Sequence, residues 1–233
     1  MKSIQSRLLI AASFTLVLGL VSSKNAIAAP TSQAQFDALM DEFGVITSYR
    51  AVAPAAPLGI IGFDLSLEAT SGTYEGNSVV LPKIKFQKGL IAGLDIAGYY
   101  SAGSIPGESA SATAYGAAIT YAILKGGVAS PAWNVRGSYT SLEIPNIVST
   151  TTTGIDTSIS KGFGPVTPYV GVGTFMLNGT DLTGNFFNKY DATKTRYYYG
   201  VSLDMLAFNL TFEGDNTDGT NSYSAKIGFR IGD

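Results

Sequence analysis

Most of the chain, over residues 58–231, alternates between apolar and polar residues. The final stretch, YSAKIGFRIGD, is the clearest example, because Ile227 and Phe229 alternate with Lys226 and Arg230. A period of two is typical of β-strands whose two faces meet different surroundings. The pattern predicts about ten antiparallel strands, within a range of about eight to twelve.

One segment ahead of the strands has a helical pattern instead. From Thr31 to Gly44, the spacing of Ser32 and Gln35 matches a capping box, and the glycine is expected to end the helix. Its apolar residues fall on one stripe, at Phe36, Leu39, Met40 and Phe43. Residues 51–57 contain two prolines and predict an extended linker. Because the helix directly precedes the first strand, it could enter a barrel as a plug or lie under its periplasmic mouth.

The first residues have the features of a secretory signal peptide. Lys2 and Arg7 precede an apolar run from Leu8 to Val21, and Ala26-Ile27-Ala28 offers a cleavage site of small residues. A membrane-anchoring helix is the alternative, but the run is short for a span of about 20 residues. We expect a cleaved signal peptide over residues 1–28, a periplasmic helix and linker over 29–57, and a barrel over 58–233.

The two faces of the predicted strands suit two different solvents. Lipid would accept the apolar face, and a narrow wet lumen would accept the polar one. A soluble exported barrel of lipocalin type, with its apolar face inside, would show the same period. However, the polar face is rich in glycine, which suits a crowded barrel axis better than a water-exposed strand. The pattern predicts an all-β fold, a closed antiparallel up-and-down transmembrane β-barrel with one short N-terminal amphipathic helix.

Composition removes several classes of function. Charged residues make up 14% of the chain, and the net charge of −2 gives no basic surface for nucleic acid. The absence of cysteine excludes disulfides and a lipid-modified cysteine. The absence of histidine excludes the Ser-His and Asp-His pairs of barrel lipases and proteases. We expect no catalytic residues, no cofactor and no metal site, although an enzyme that uses only carboxylates leaves no mark in the sequence.

Acidic and basic residues occur in near-equal number on the polar face. Isolated charges would be costly in a narrow, poorly hydrated interior, whereas paired charges are tolerated. We therefore predict ion pairs inside the barrel rather than an open charge-selective pore. The predicted lumen charge network consists of Asp64, Glu68, Lys83, Lys85, Asp95, Arg136, Asp156, Arg196, Asp204, Glu213, Lys226 and Arg230.

The connections are expected to alternate between short turns and longer polar loops, the latter at 71–77, 102–109, 177–192 and 214–221. Aromatic residues near strand ends, such as Tyr99 and Trp133, suit the girdles at the two membrane surfaces. The longest loop contains Phe186, Phe187 and Tyr190. These residues could bind a hydrophobic ligand or a surface partner, or they could pack against the protein itself.

The signal peptide, the unbroken alternation and the last strand YSAKIGFRI resemble small Gram-negative outer-membrane β-barrels, in particular families of uncharacterised function with a short helix before the first strand. The resemblance implies an outer-membrane location, contact with outer-membrane lipid and insertion by the barrel-insertion machinery. Those families usually end on an aromatic residue, whereas Phe229 is here followed by four more residues.

No motif in the chain is specific to one function, and its oligomeric state stays open. We expect a structural protein or a narrow passive channel for small solutes, without catalysis. The alternatives are an outer-membrane binding protein that uses the loop 177–192, and a soluble exported lipocalin-like barrel.

Overall fold

Ten antiparallel strands close into one barrel. The computed structural model describes residues 30–74, 77–104, 111–185 and 187–232, except for the side chains of Phe43, Tyr74, Asn77 and Ser104. A helix, α1 (Gln33–Thr47), precedes the strands. The strands are β1 (Phe63–Tyr74), β2 (Asn77–Gly89), β3 (Leu94–Ser104), β4 (Ser111–Lys125), β5 (Ala132–Ile144), β6 (Val148–Ser160), β7 (Val166–Asp181), β8 (Tyr190–Met205), β9 (Phe208–Thr217) and β10 (Thr220–Ile231). The predicted signal peptide lies outside the described residues.

Each strand pairs with its neighbours in sequence, and β1 pairs with β10 to close the seam. At the two ends of this seam, Phe63 lies opposite Ile231 and Ser71 lies opposite Tyr223. Closure gives each strand two partners, although β2 pairs with β3 only over residues 84–89. The prediction of a closed, up-and-down antiparallel barrel of about ten strands is confirmed.

The two rims of the barrel are named here by the strand ends that they carry. The near rim carries the start of β1, the end of β10 and the connections at 90–93, 126–131, 161–165 and 206–207. The far rim carries the opposite strand ends and, among the described connections, those at 145–147, 182–189 and 218–219. Connections of similar length occur at both rims, so the expected alternation of short turns and long loops is not seen in the described part of the chain.

The loop predicted at 214–221 is mostly strand. β9 continues to Thr217 and β10 begins at Thr220, so the connection consists of Asp218 and Gly219 alone. Both residues have a left-handed backbone, with φ of 47° and 93°. This is the conformation of a two-residue type I′ turn, for which Asp-Gly is a favoured sequence.

Apolar side chains face outward, and polar side chains face the lumen. On β10, Lys226 is 2% exposed, whereas the neighbouring Ile227 is 56% exposed. On β1, Asp64 and Glu68 are buried while Leu65 is exposed. A lipocalin-like barrel requires the reverse arrangement, with its apolar face around a central cavity. The structure therefore argues against the soluble alternative.

Helix α1 is longer than its sequence pattern predicts. Ser32 caps its first turn by accepting a hydrogen bond from Gln35 N at 3.3 Å. Gly44 does not end the helix, which continues to Thr47. Instead, the glycine allows a close approach to β7, because a Cβ there would lie 2.3 Å from Leu177 Cδ2. Among the described residues, no helix combines the length and the apolar character needed to cross a bilayer.

Candidate functional site

The lumen is filled by the chain that precedes β1. We call residues 30–58 the luminal segment; it consists of α1 followed by an extended stretch. The structure places this segment inside the barrel rather than under one mouth. Residues 51–57, for which the sequence predicts a linker, are also surrounded by the strands. Apolar residues of both parts are almost completely buried: Phe36, Leu39, Met40, Val45, Ile46, Val52 and Leu58.

The helical half of the luminal segment lies against an apolar part of the wall. Phe36, Leu39 and Met40 belong to one buried cluster with wall residues such as Leu142 and Ile144. The stripe at i, i+3 and i+4 is therefore the surface that packs against the strands, as expected for an amphipathic helix. The side chain of Phe43, which completes the predicted stripe, is outside the described part.

The far-rim loop at 182–189 folds over the helix. Phe187 stacks on Phe36, with ring centroids 5.8 Å apart. The Tyr190 hydroxyl donates a hydrogen bond to Asp41 of α1, and Lys194 forms an ion pair with the same carboxylate. Two of the three aromatic residues considered for ligand contact are thus packed against the protein itself. The third, Phe186, lies outside the described residues.

The extended half of the luminal segment is held by polar contacts, of which those of Arg50 are the most extensive. Its Nε donates to Asp215 Oδ2 at 2.8 Å, and its Nη2 donates to Asp215 Oδ1 at 3.2 Å and to Ser222 Oγ at 2.8 Å. Its Nη1 donates to the carbonyl oxygens of Ile46 and Ser48. Every nitrogen of a buried guanidinium has a partner, which is the condition under which such a charge is tolerated.

A second polar contact involves the backbone of the same stretch. Lys85 donates to the carbonyl oxygens of Arg50 and Ala51, and it also lies 3.3 Å from Glu68 Oε2. Glu68 Oε1 accepts a hydrogen bond from Lys83 at 3.0 Å. The Glu68 carboxylate therefore pairs with two lysines, and one of these, Lys85, also binds the main chain of the luminal segment.

Two further ion pairs connect wall residues with each other. Lys226 Nζ lies 2.9 Å from Asp64 Oδ2. Arg136 Nε lies 3.0 Å from Asp156 Oδ2, and these residues are directly opposite each other on β5 and β6. The Tyr198 hydroxyl donates to the same Asp156 at 2.7 Å. The two ion pairs link neighbouring strands, and the Tyr198 hydrogen bond spans from β8 to β6 across β7.

Near-rim contacts hold the end of the luminal segment. Ala55 N donates to Ser160 Oγ at 3.0 Å, and Asn134 Nδ2 donates to Ala55 O at 3.1 Å. Asp95 accepts from Leu58 N at 3.2 Å and from Gln87 Nε2 at 2.9 Å. The predicted lumen residue Asp95 therefore binds a backbone amide rather than a cation.

The remaining predicted lumen charges have varied surroundings. Arg196 donates to Ser48 Oγ at 3.2 Å, and its guanidinium lies over the rings of Phe175 and Tyr198. Glu213 accepts a hydrogen bond from the Tyr169 hydroxyl at 2.8 Å. Asp204 and Arg230 are only half-buried, since both lie close to the near rim. The structure thus brings most of the predicted network into the lumen and leaves these two at its edge.

Inward-facing tyrosines lie against glycines on the adjacent strand. Tyr198 is directly opposite Gly171, and a Cβ at Gly171 would lie 2.2 Å from Tyr198 Cζ. Tyr169 has the same relation to Gly200, and Tyr99 to Gly116. The glycine-rich inner face therefore provides room for aromatic rings. Tyr99 lies inside, as Tyr198 does, which corrects the assignment of Tyr99 to an interfacial girdle, whereas Trp133 does face outward.

Arg50 and Asp215 were not identified as site residues from the sequence. Arg50 stands in a stretch without strand alternation, and Asp215 was assigned to a loop. One signal was available for Asp215: Thr211, Glu213, Asp215 and Thr217 continue the inward positions of β9 at a spacing of two. For Arg50 the sequence shows only that it is the one cation between Pro30 and Gly62, because its partner depends on how the segment enters the barrel.

A small cavity lies beside the luminal segment. The cavity between Tyr49, Asp156 and Arg196 has a volume of about 10 Å³. This is close to the smallest space that can hold one water molecule. Among the described residues, no group of three or more acidic side chains is arranged to hold a metal ion.

No protein-family model and no curated protein matches this chain. Among solved structures, it is similar to the KdgM porin, at 7% identity over 72% of this chain and 98% of that one, with a TM-score of 0.37. It is similar to the N-terminal barrel domain of Pseudomonas aeruginosa OprF, at 13% identity over 74% and 99%, with a TM-score of 0.37. It is also similar to the translocator domain of the autotransporter NalP from Neisseria meningitidis, at 8% identity over 85% and 94%, with a TM-score of 0.41. At these values the likeness concerns the barrel fold and does not extend to function.

Proposed function

We propose that this protein is a structural outer-membrane β-barrel whose lumen is closed by its own luminal segment. It conducts solutes only when that segment leaves its place. The passive channel expected from the sequence therefore corresponds to a form in which the luminal segment is displaced. In the form described here, the segment closes the lumen.

The filled lumen is the observation that carries this proposal. An open ten-stranded barrel would leave an interior slightly wider than one filled by its own wall side chains. Here the segment occupies that interior, with Phe36 close to one end and Leu58 close to the other, both buried. Arg50, Ala55 and Leu58 of the segment donate hydrogen bonds to polar side chains of the wall.

The outer surface supports the membrane location. Large apolar side chains of successive strands are exposed on the outside, among them Leu65, Ile119, Val170 and Ile227. In water this surface would be an extended apolar patch, which soluble monomers rarely show. In a bilayer it meets hydrocarbon, while closure of the barrel pairs most of the strand backbone.

Planar-bilayer conductance tests the sealed lumen. We expect the full mature protein to be silent, and deletion of residues 31–52 to produce a steady current. Because the deletion leaves wall charges unpaired and could prevent folding, a second variant is needed. Arg50→Glu places a carboxylate beside Asp215 and should displace the segment while keeping its length.

Two control variants make the result specific. The double variant with Arg50→Glu and Asp215→Arg restores the pair in reverse and should be silent again. Lys194→Glu reverses a charge beside Asp41, whose side chain is half exposed close to the far rim. This variant should also be silent. A steady current from the unaltered protein, as large as that of the deletion, contradicts the proposal. Silence of both the deletion and Arg50→Glu in folded barrels contradicts it as well, because the segment would then not be what closes the lumen.

A further inference from the structure

The luminal segment passes through the whole barrel in one direction. At the far rim, Asn185 Nδ2 donates to Pro30 O at 3.3 Å. Asn188 of the same loop donates its backbone N–H to Gln33 Oε1 at 2.8 Å. The first described residues of the chain therefore lie at the far mouth.

Contacts further along the segment follow in order toward the other rim. Thr47 O accepts a hydrogen bond from Tyr99 at 2.9 Å, inside the barrel. Ala55 then contacts Ser160, the last residue of β6, and Leu58 contacts Asp95 beside the start of β3. Both strand ends belong to the near rim, where β1 begins at Phe63. The chain therefore enters the lumen at the far mouth and leaves it at the near one.

The strand ends indicate which rim faces the cell exterior. β1 starts and β10 finishes at the near rim, as an even number of strands requires. If the near rim faces the periplasm, only the hairpin connections of the strands and the enclosed luminal segment cross the membrane. The opposite orientation would require both ends of the strand array to cross the membrane as well.

From these two observations we infer that the far mouth opens to the cell exterior, so that Pro30 and the start of α1 lie at the cell surface. The inference rests on the outer-membrane location proposed above. It reverses the expectation that residues 29–57 are periplasmic. The amino-terminal end of the mature chain is then accessible from outside, while the carboxyl-terminal end of β10 is on the periplasmic side.

Single-cysteine labelling tests this arrangement, because the chain contains no cysteine of its own. Three exposed positions are suitable: Thr31 at the start of the luminal segment, Lys189 in the far-rim loop and Val128 in a near-rim turn. Each is changed to cysteine in the full chain, expressed in a Gram-negative host and treated with a membrane-impermeant maleimide. Labelling of intact cells is compared with labelling after the outer membrane is permeabilised.

We expect Thr31→Cys and Lys189→Cys to label fully on intact cells, and Val128→Cys to label only after permeabilisation. In one contrary outcome, Lys189→Cys labels on intact cells, but Thr31→Cys labels only after permeabilisation, as Val128→Cys does. This result would show that the luminal segment does not begin at the far mouth. The reverse pattern, with Val128→Cys alone labelled on intact cells, overturns the orientation. If Lys189→Cys and Val128→Cys label to the same extent as each other, both on intact cells and after permeabilisation, the outer-membrane location itself is refuted. Failure of the proposed function is therefore distinguishable from failure of this inference.

Discussion

The two halves of the luminal segment are held in the barrel by different forces. The helical half buries Phe36, Leu39 and Met40 against an apolar part of the wall. The extended half makes directed contacts, among them the bidentate pair of Arg50 with Asp215. The free energy of apolar contact depends mainly on the buried area and changes little with small shifts. Hydrogen bonds, in contrast, weaken when the donor–acceptor distance or the angle leaves its preferred range.

This difference separates stabilisation from positioning. The helical half removes apolar surface from water, and its Asp41 makes charged contacts with Tyr190 and Lys194 of β8, close to the far rim. The extended half fixes the depth of the segment, because Arg50, Ala55 and Leu58 each meet one partner at one level of the lumen. We therefore expect polar variants to move the segment and apolar variants to weaken the barrel without moving it.

The largest effect is expected from Arg50→Met. It leaves Asp215 buried without its cation, and breaking a buried pair costs about 3–5 kcal/mol of unfolding free energy. Denaturant titration in detergent micelles measures this, with the single tryptophan, Trp133, as the fluorescent probe. The added change Asp215→Leu should recover most of the loss. A double variant no more stable than Arg50→Met would show that the cost does not come from the orphaned carboxylate.

Leu39→Ala tests the helical half. A buried leucine reduced to alanine usually costs about 2–5 kcal/mol, and we expect about 3 here because Leu39 is fully buried in the cluster. The same titration measures the loss, and Ala38→Ser on the exposed side of α1 serves as the matched control. Unlike Arg50→Glu, this variant should remain silent in planar bilayers. A current from Leu39→Ala would show that the apolar half also sets the position.

Gly171→Ala tests the wall itself. The added methyl group would overlap the ring of Tyr198 and disturb its hydrogen bond to Asp156, at a cost of about 1–3 kcal/mol. Adding Tyr198→Phe removes that hydrogen bond but keeps the ring, so the double variant should be no more stable. Gly103→Ala is the control, since nothing lies within 4 Å of a Cβ at that position. Equal stability of the two alanine variants would contradict close packing of ring against glycine.

The smallest effect is expected from Lys194→Gln. Its partner Asp41 is about half exposed, and ion pairs at such sites contribute about 0–1 kcal/mol. Because salt screens exposed pairs more than buried ones, the small loss should shrink further at high ionic strength, whereas that of Arg50→Met should persist. A loss for Lys194→Gln comparable with that of Arg50→Met would remove the distinction between rim and lumen.

The alternation of residues was sufficient to predict the strands and their faces. Ile227 faces outward and Lys226 inward because a strand can place neighbours only on opposite sides. The pattern does not contain the register between strands. Whether Lys226 pairs with Asp64 or with Glu68 depends on side-chain reach across β1 and β10, where Glu68 is the residue directly opposite.

The luminal segment was harder to interpret for a physical reason. Its stretch at 51–57 is made of alanine, valine and proline, a composition that resembles a flexible linker in water. Inside a narrow lumen the same small side chains are the ones that fit. Arg50 is the only cation between Pro30 and Gly62, so it could have been singled out, but its partner becomes apparent only in three dimensions.

The short turn at 59–62 links the luminal segment to β1 and has a consequence for assembly. Gly59 has φ of 75°, and its carbonyl accepts a hydrogen bond from Gly62 N at 3.1 Å. The segment and β1 therefore run in opposite directions on either side of this turn, as two arms of a single hairpin. Because the segment directly precedes β1 in the chain, the other strands can pair in order around it until β10 meets β1. No free end ever needs to find its way through a completed ring.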